Sequence, residues 1–471
     1  MKNIKNPKNI KNKTDIKDHK TSKTQKQIKQ QTKQQYVKTS SINHTSTHKK
    51  TYNANEFGIN QLLIDHDALM VIKKLQKANY EAYIVGGGIR DLLLNKTPKD
   101  FDIVTNAQPE MIRKVFKHNS IIIGRRFKIV HINFNNINPD KFFNNRPIIE
   151  KNIIEVSTYR SIDTDDKFIN KFGKLTNDNN YGTQDEDAMR RDFTINALYY
   201  DPINETIIDY HDGMIDIKNY TLKIIGNPKE RYLEDPVRIL RAIRLSSKLN
   251  LSIEDKTLNA ITSAKHLLTN EHKWRLYEEM LKILLSGAAL KCIELLKKFK
   301  IPKNVLPLLD TLFFKKIPDP LAISILNKTD LRLQENSDVS VVFILAGLLW
   351  GTIYKAWNQE LKYSHGVKEA LKNAIALQRE YIINLCIPKY IYQSMKEVWL
   401  LQINFEYPSA KQVNYILHNS RFRQALHLFN TRSELSLIDH ETFLWWDKFM
   451  IADDNMRSEM LKLLKNNDLE L

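Results

Sequence analysis

"GGGIRDLLLNKTPKDFDIV" (Gly86–Val104) sets three glycines ahead of Arg90 and, ten residues beyond that arginine, two aspartates one position apart. Just upstream, "EAYIVGG" reads as a short strand ending in glycines. "IRDLLLN" opens a helix, and "DFDIVT" is the next strand. Strand side chains alternate faces, so Asp100 and Asp102 are expected to point the same way. Two carboxylates that close repel each other unless a cation sits between them. Mg²⁺, a hard and oxygen-seeking ion, suits the pair. Glycines let backbone approach a ligand closely, and successive amides there can form an anion nest next to Arg90. Glycines, arginine and then carboxylates suggest a nucleoside triphosphate with its metal. The spacing fits neither G-x-G-x-x-G nor a P-loop. Glu155 in "IIEVSTYR", on an expected neighbouring strand, is the candidate third carboxylate of a two-metal site.

Outward from this stretch, "LLIDHDALMVIKKLQKANY" has helical spacing, and "QPEMIRKVFKH" starts a helix with Pro109 in its first turn. "SIIIGRRFKIVHINF" reads as two strands around a Gly-Arg-Arg turn. Residues 161–182 are polar and read as a loop. From "RYLEDPVRILRAIRLSSKLN" onward the pattern is helical, with 275–300 as one amphipathic helix. The expected class is α+β: a mixed-sheet head, then an all-helical neck, body and tail. The expected boundaries are a disordered basic tail over 1–57, a head over 58–222, a neck over 223–290, and a helical, RNA-binding body and tail over 291–471.

The chain has 471 residues and a formal charge of +18. Residues 1–50 hold fourteen lysines, no arginine and two aspartates, so most of the excess lies in a segment poor in apolar periodicity. Such a tail can attract RNA phosphates or act as a solvated extension. It lacks the arginines and amphipathic face of a mitochondrial leader and has no secretory apolar region. Cys292 and Cys386 have no partners at metal spacing. "VSVVFILAGLLWG" (Val339–Gly351) is short and mixed for a membrane span and reads as a core helix. A cytoplasmic protein without a membrane partner is expected.

Three motifs in order, "VGGGIRDLLLNKTPKDFDIVTNAQPE", "DEDAMRRDFTINAL" (Asp185–Leu198) and "IGNPKERYLEDPVRILRAIRLSSKLN", resemble the tRNA nucleotidyltransferase/poly(A) polymerase family over about 70–420. The resemblance implies nucleotidyl transfer from an NTP to an RNA 3′-hydroxyl with release of pyrophosphate. It implies Mg²⁺ on Asp100 and Asp102, and triphosphate at Gly87, Gly88 and Arg90. It also implies that Arg191 and Asp192 contact nucleotide and ribose while bracing the site. Asp235 and Arg238 would read the incoming base, with Arg241 and Arg244 reaching phosphate or packing the same helix. The i, i+3, i+6 spacing of Asp235, Arg238 and Arg241 agrees with one shared helical face. Acceptors beside a rigid donor fork can read a base edge.

Two activities share this head, CCA addition to tRNA and adenosine addition to RNA ends. "IIIGRRFKIVHI" (Ile121–Ile132) is similar to the poly(A) polymerase signature, with Arg125 and Arg126 as RNA contacts, and "RFRQALHLFNTRSEL" resembles the late helices of bacterial poly(A) polymerases. The resemblance therefore implies ATP as substrate. RNA 3′ ends, and proteins of RNA degradation or RNA chaperoning, would be its partners. CCA addition and a non-catalytic RNA-binding relative are the alternatives. A fused phosphohydrolase is disfavoured, because no His-Asp cluster occurs in the helical part.

Overall fold

A computed structural model describes residues 49–124, 127–143, 146–162, 179–313 and 318–467, with side chains of 136–151 and a few others left aside. The chain divides into two compact units. One ends at Arg191 and regains Ile195–Met214; the other holds Asp192–Thr194 and everything from Ile215.

The first unit is built on eight strands: β1 (Lys50–Asn53), β2 (Ala82–Val85), β3 (Asp102–Thr105), β4 (Ser120–Ile123), β5 (Ile129–Phe143), β6 (Arg146–Thr158), β7 (Leu198–Asp201) and β8 (Thr206–Asp209). Their order is β1-β8-β7-β2-β3-β6-β5-β4. Only β3 and β6 run parallel, so the sheet is mixed as expected. The head starts sooner than Gly58, because β1 pairs along β8 and Lys50 meets Asp212 at 2.5 Å. A four-residue polar edge strand carries too little periodicity to be read from sequence. The basic tail over 1–48 lies outside the described residues.

Helix α1 (His66–Lys77) starts where Asp65 accepts from the amides of Asp67 and Ala68. Ala68, Val71, Ile72 and Leu75 form its buried stripe. Helix α2 (Gly87–Leu93) follows β2 directly, and α3 (Pro109–Phe116) takes Pro109 in its first turn. Helix α4 (Gln184–Arg190) begins with a capping box between Thr183 and Glu186.

The strands bury alternate residues. Ile103, Val130, Ile132, Ile154 and Val156 are almost wholly enclosed. The residues between them, Asp102, His131, Ile153 and Glu155, are exposed or half-buried. One face is thus core and the other is open within this unit.

Among its described residues the second unit is mostly helical, with a two-residue strand pair β9 (Thr221–Leu222) and β10 (Ser252–Ile253) and an isolated bridge between Phe193 and Ile224. The single helix expected over 275–300 is two, Lys273–Leu284 and Ala289–Lys298, broken where Gly287 takes φ +74°. The apolar run at Val339 lies in a longer helix, Val341–Glu360, whose length and composition would suffice to cross a membrane. Its residues Phe343–Trp350 are buried among neighbouring helices, and Trp399 Nε1 donates to the Ala346 carbonyl at 2.9 Å.

Candidate active site

The glycine turn lies against the aspartates. Gly86 has φ +70°, which L-residues rarely adopt. A Cβ there would stand 3.8 Å from Asp102 Oδ2 and 4.0 Å from Arg191 Nη1. Gly88 is a packing glycine, since its Cβ would press on Ile84 and Phe101 at 3.1 and 3.3 Å and on the Asp100 carbonyl at 3.4 Å. A Cβ on Gly87 would touch Arg90 Nη2 at 3.5 Å.

β3 begins at Asp102, so Asp100 sits just ahead of the strand rather than in it. Both aspartates are exposed. The β3–β6 register pairs Ile103 with Val156, which sets Glu155 beside Asp102 on the open face. Glu155 in turn faces His131 across β5, with 3.2 Å between Nε2 and Oε1. The protein packed about the Asp102 carboxyl, and then the charges of Glu155 and Asp100, raise its pKa against the pull of Arg191. An added cation would relieve this repulsion. Among the described residues, no group of three or more potential ligands is gathered to enclose an ion. Two hard carboxylates on an open face fit Mg²⁺ better than a closed cage would, because that ion keeps water and binds through one or two carboxylates plus phosphate.

Arg90 is held differently from the expected triphosphate contact, and Arg191 is held beside Asp102. Arg90 is turned inward, not toward a triphosphate. Its Nε and Nη2 donate to Asp91 Oδ1 at 2.8 and 2.6 Å, and Nη1 donates to Asn196 Oδ1 at 2.8 Å. With only 6% of its surface exposed, it braces α2 from within. Arg191 is gripped by Asp187 Oδ2 through Nε and Nη2 at 3.1 and 2.9 Å, and its Nε also donates to the Tyr199 hydroxyl at 3.2 Å. Burial alone would lower its pKa, but Asp187 and Tyr199 hold it up, so Arg191 stays charged beside Asp102. Asp91, Asp187 and Asn196, which lie within the quoted motifs but were given no role there, and Tyr199, just beyond them, thus support the site.

The second unit holds its own cluster. Asp192 pairs with Arg241 at 2.6 Å. Asp235 does not lie on a helix with Arg238: it is extended (φ −144°, ψ 93°) ahead of Pro236, and the helix starts at Val237. Its Oδ1 accepts from the Val237 amide at 3.2 Å, and both carboxylate oxygens take Arg275 Nη2 at 2.9 Å. Arg238 donates to the Arg231 carbonyl at 2.7 Å and to Glu234 at 2.8 Å. Arg244 is spent on buried Glu279 at 2.8 Å. Arg275 and Glu279, some forty residues from their partners, were not legible as site residues. Arg125 and Arg126 lie outside the described residues.

The site is thus an open row of carboxylates at a glycine turn, on a mixed sheet followed by a helical unit. The model of the poly A polymerase head domain matches residues 82–223. That of the probable RNA and SrmB-binding site of polymerase A matches 250–313, and that of the polymerase A arginine-rich C-terminus matches 359–470. A protein called poly(A) polymerase I from Haemophilus influenzae is 33% identical over 88% of this chain and 91% of its own length. A CCA-adding enzyme from Enterococcus faecalis is 37% identical but over 46% of this chain and 49% of its own. The crystal structure of the Bacillus stearothermophilus CCA-adding enzyme in complex with CTP shares the fold, with TM-score 0.52 at 22% identity over 81% of each chain. The chain belongs to the poly(A) polymerase branch of the tRNA nucleotidyltransferase/poly(A) polymerase family.

Proposed function

We propose that this chain is a template-independent adenylyltransferase that moves AMP from ATP onto RNA 3′ ends and releases pyrophosphate. The carrying observation is the placement of Asp102 beside Glu155, two residues after Asp100 and against the glycine turn, with the Arg191 guanidinium alongside. The extended match to the Haemophilus influenzae poly(A) polymerase I, through both helical segments, supports adenosine addition over CCA addition.

In this reading Asp100, Asp102 and Glu155 would hold Mg²⁺, which would supply Lewis-acid activation of the RNA 3′-hydroxyl and charge neutralisation at the α-phosphate. Arg191, kept charged by Asp187, balances negative charge where the phosphates lie. Gly86 and Gly87 keep that approach free of side chains. Arg90 fixes α2, so the turn is set before substrate arrives and little reorganisation is needed. Asp235, positioned by Arg275, and Arg238, positioned by Glu234, present acceptor and donor to the adenine edge.

A tRNA lacking CCA and an unstructured RNA, each given ATP alone and then ATP with CTP, test this. Long adenosine tails on both without CTP support the reading. CTP incorporation that stops after three nucleotides reverses it.

A further inference from the structure

The head carries a concavity away from the Asp102 row. It lies at the free edge of β4, the last strand of the sheet, and encloses about 650 Å³. Its walls include Arg113 and Lys114 from α3, Lys117 and His118 just beyond that helix, and Ile121 from β4. All five are exposed, and among the described residues the four basic ones have no ion-pair partner. Glu110 also lines it, but it is paired with Lys128 at 2.9 Å.

Cations near a helix C-terminus favour its dipole, which accounts for Arg113 and Lys114. It does not account for Lys117 and His118, carried past the end by the left-handed turn at Lys117 (φ +53°). Basic residues also guard sheet edges against pairing with another chain. Here, however, they line a hollow, and that hollow is tied to the catalytic row. Glu155 lies beside Asp102, Glu155 faces His131, and His131 faces Ile121. The four residues form one line across β3, β6, β5 and β4 on the open face. Three strand spacings make that line about 14 Å long. A stacked strand rising about 3.4 Å per nucleotide covers it in roughly four nucleotides.

We propose that this β4-edge cavity binds the phosphodiester backbone of the RNA about four nucleotides upstream of the reacting 3′ end. The assignment rests on the RNA-extending reading above. It gives the head its own grip on the primer and makes affinity depend on primer length.

The test is the variant R113Q/K114Q/K117N. Asn is chosen at 117 because it tolerates positive φ. All three sites are exposed, and circular dichroism checks the fold. For an oligoadenylate of about twelve nucleotides, bound without ATP, the dissociation constant should rise about tenfold. The slope of its logarithm against log salt should fall by about 2, from three lost phosphate contacts at roughly 0.7 each. Extension of a trinucleotide primer and the KM for ATP should stay at wild-type values. Unchanged affinity and slope would overturn the proposal. So would equal weakening of the trinucleotide, a raised KM for ATP (a triphosphate subsite), or self-association with RNA binding intact (edge protection). Because binding is read without ATP, an enzyme that grips RNA here yet adds no AMP would defeat the transferase reading and leave this one standing.

Discussion

The two faces of the head sheet are made from alternate residues of the same strands, yet they do opposite work. Ile103, Val130 and Val156 are fully buried and hold the strands together. Asp102, His131 and Glu155, one step along, face outward and crowd charge into one row. Apolar burial is concentrated on the first face and charge on the second. Substitutions should therefore separate folding from chemistry according to which face they touch.

The largest effect should come from the open face. Asp102→Asn removes the central carboxylate while keeping its shape, and AMP transfer should fall at least about a thousandfold with an unchanged circular dichroism spectrum. Arg90→Ala comes next. It strands buried Asp91 and should cost about 3–5 kcal/mol in urea unfolding. Were Arg90 a phosphate contact instead, Arg90→Lys would leave stability intact and raise the KM for ATP. On the buried face, Val156→Ala should cost about 2 kcal/mol of stability, with transfer by the folded fraction unchanged. Arg275→Ala frees Asp235 and should blur the preference for ATP over CTP by about tenfold, near 1.4 kcal/mol, measured by competing incorporation.

The smallest effect concerns pH. A raised pKa at Asp102 means the native state holds that proton more tightly than the unfolded chain does. Its contribution to stability is present in acid and is lost as pH rises through the Asp102 titration. Asp102→Asn escapes that loss, so its melting temperature should exceed the wild type's more at pH 7 than at pH 4. The gap should be small because Arg191 opposes the shift and the residue stays partly exposed. A gap that narrows with pH would contradict the crowded-row account.

The same contrast explains what could be read from sequence. Alternation marks a strand's two faces, so Asp102 on the open face and Glu155 as its neighbour were legible, although Asp100 proved to sit just ahead of the strand. Partners distant in the chain were not. Nothing in "IRDLLLN" says that Arg90 reaches Asn196, or that Asp235 will be held by Arg275. Two local errors did carry a signal. A residue before proline leans toward extended backbone, which removes Asp235 from the helix that starts after Pro236. Ser286–Gly287 is a break signal inside the expected 275–300 helix. The edge strand β1 had none, since its four residues gain their structure from β8.

The central claim is that the open acidic row gathers a divalent cation with the nucleotide. Mn²⁺ as a paramagnetic stand-in for Mg²⁺, titrated with ATP and followed by electron paramagnetic resonance, tests it without turnover. The wild type and Val156→Ala should bind the Mn²⁺–ATP pair alike, whereas Asp102→Asn should weaken it at least about tenfold. Equal binding by all three proteins would contradict the account.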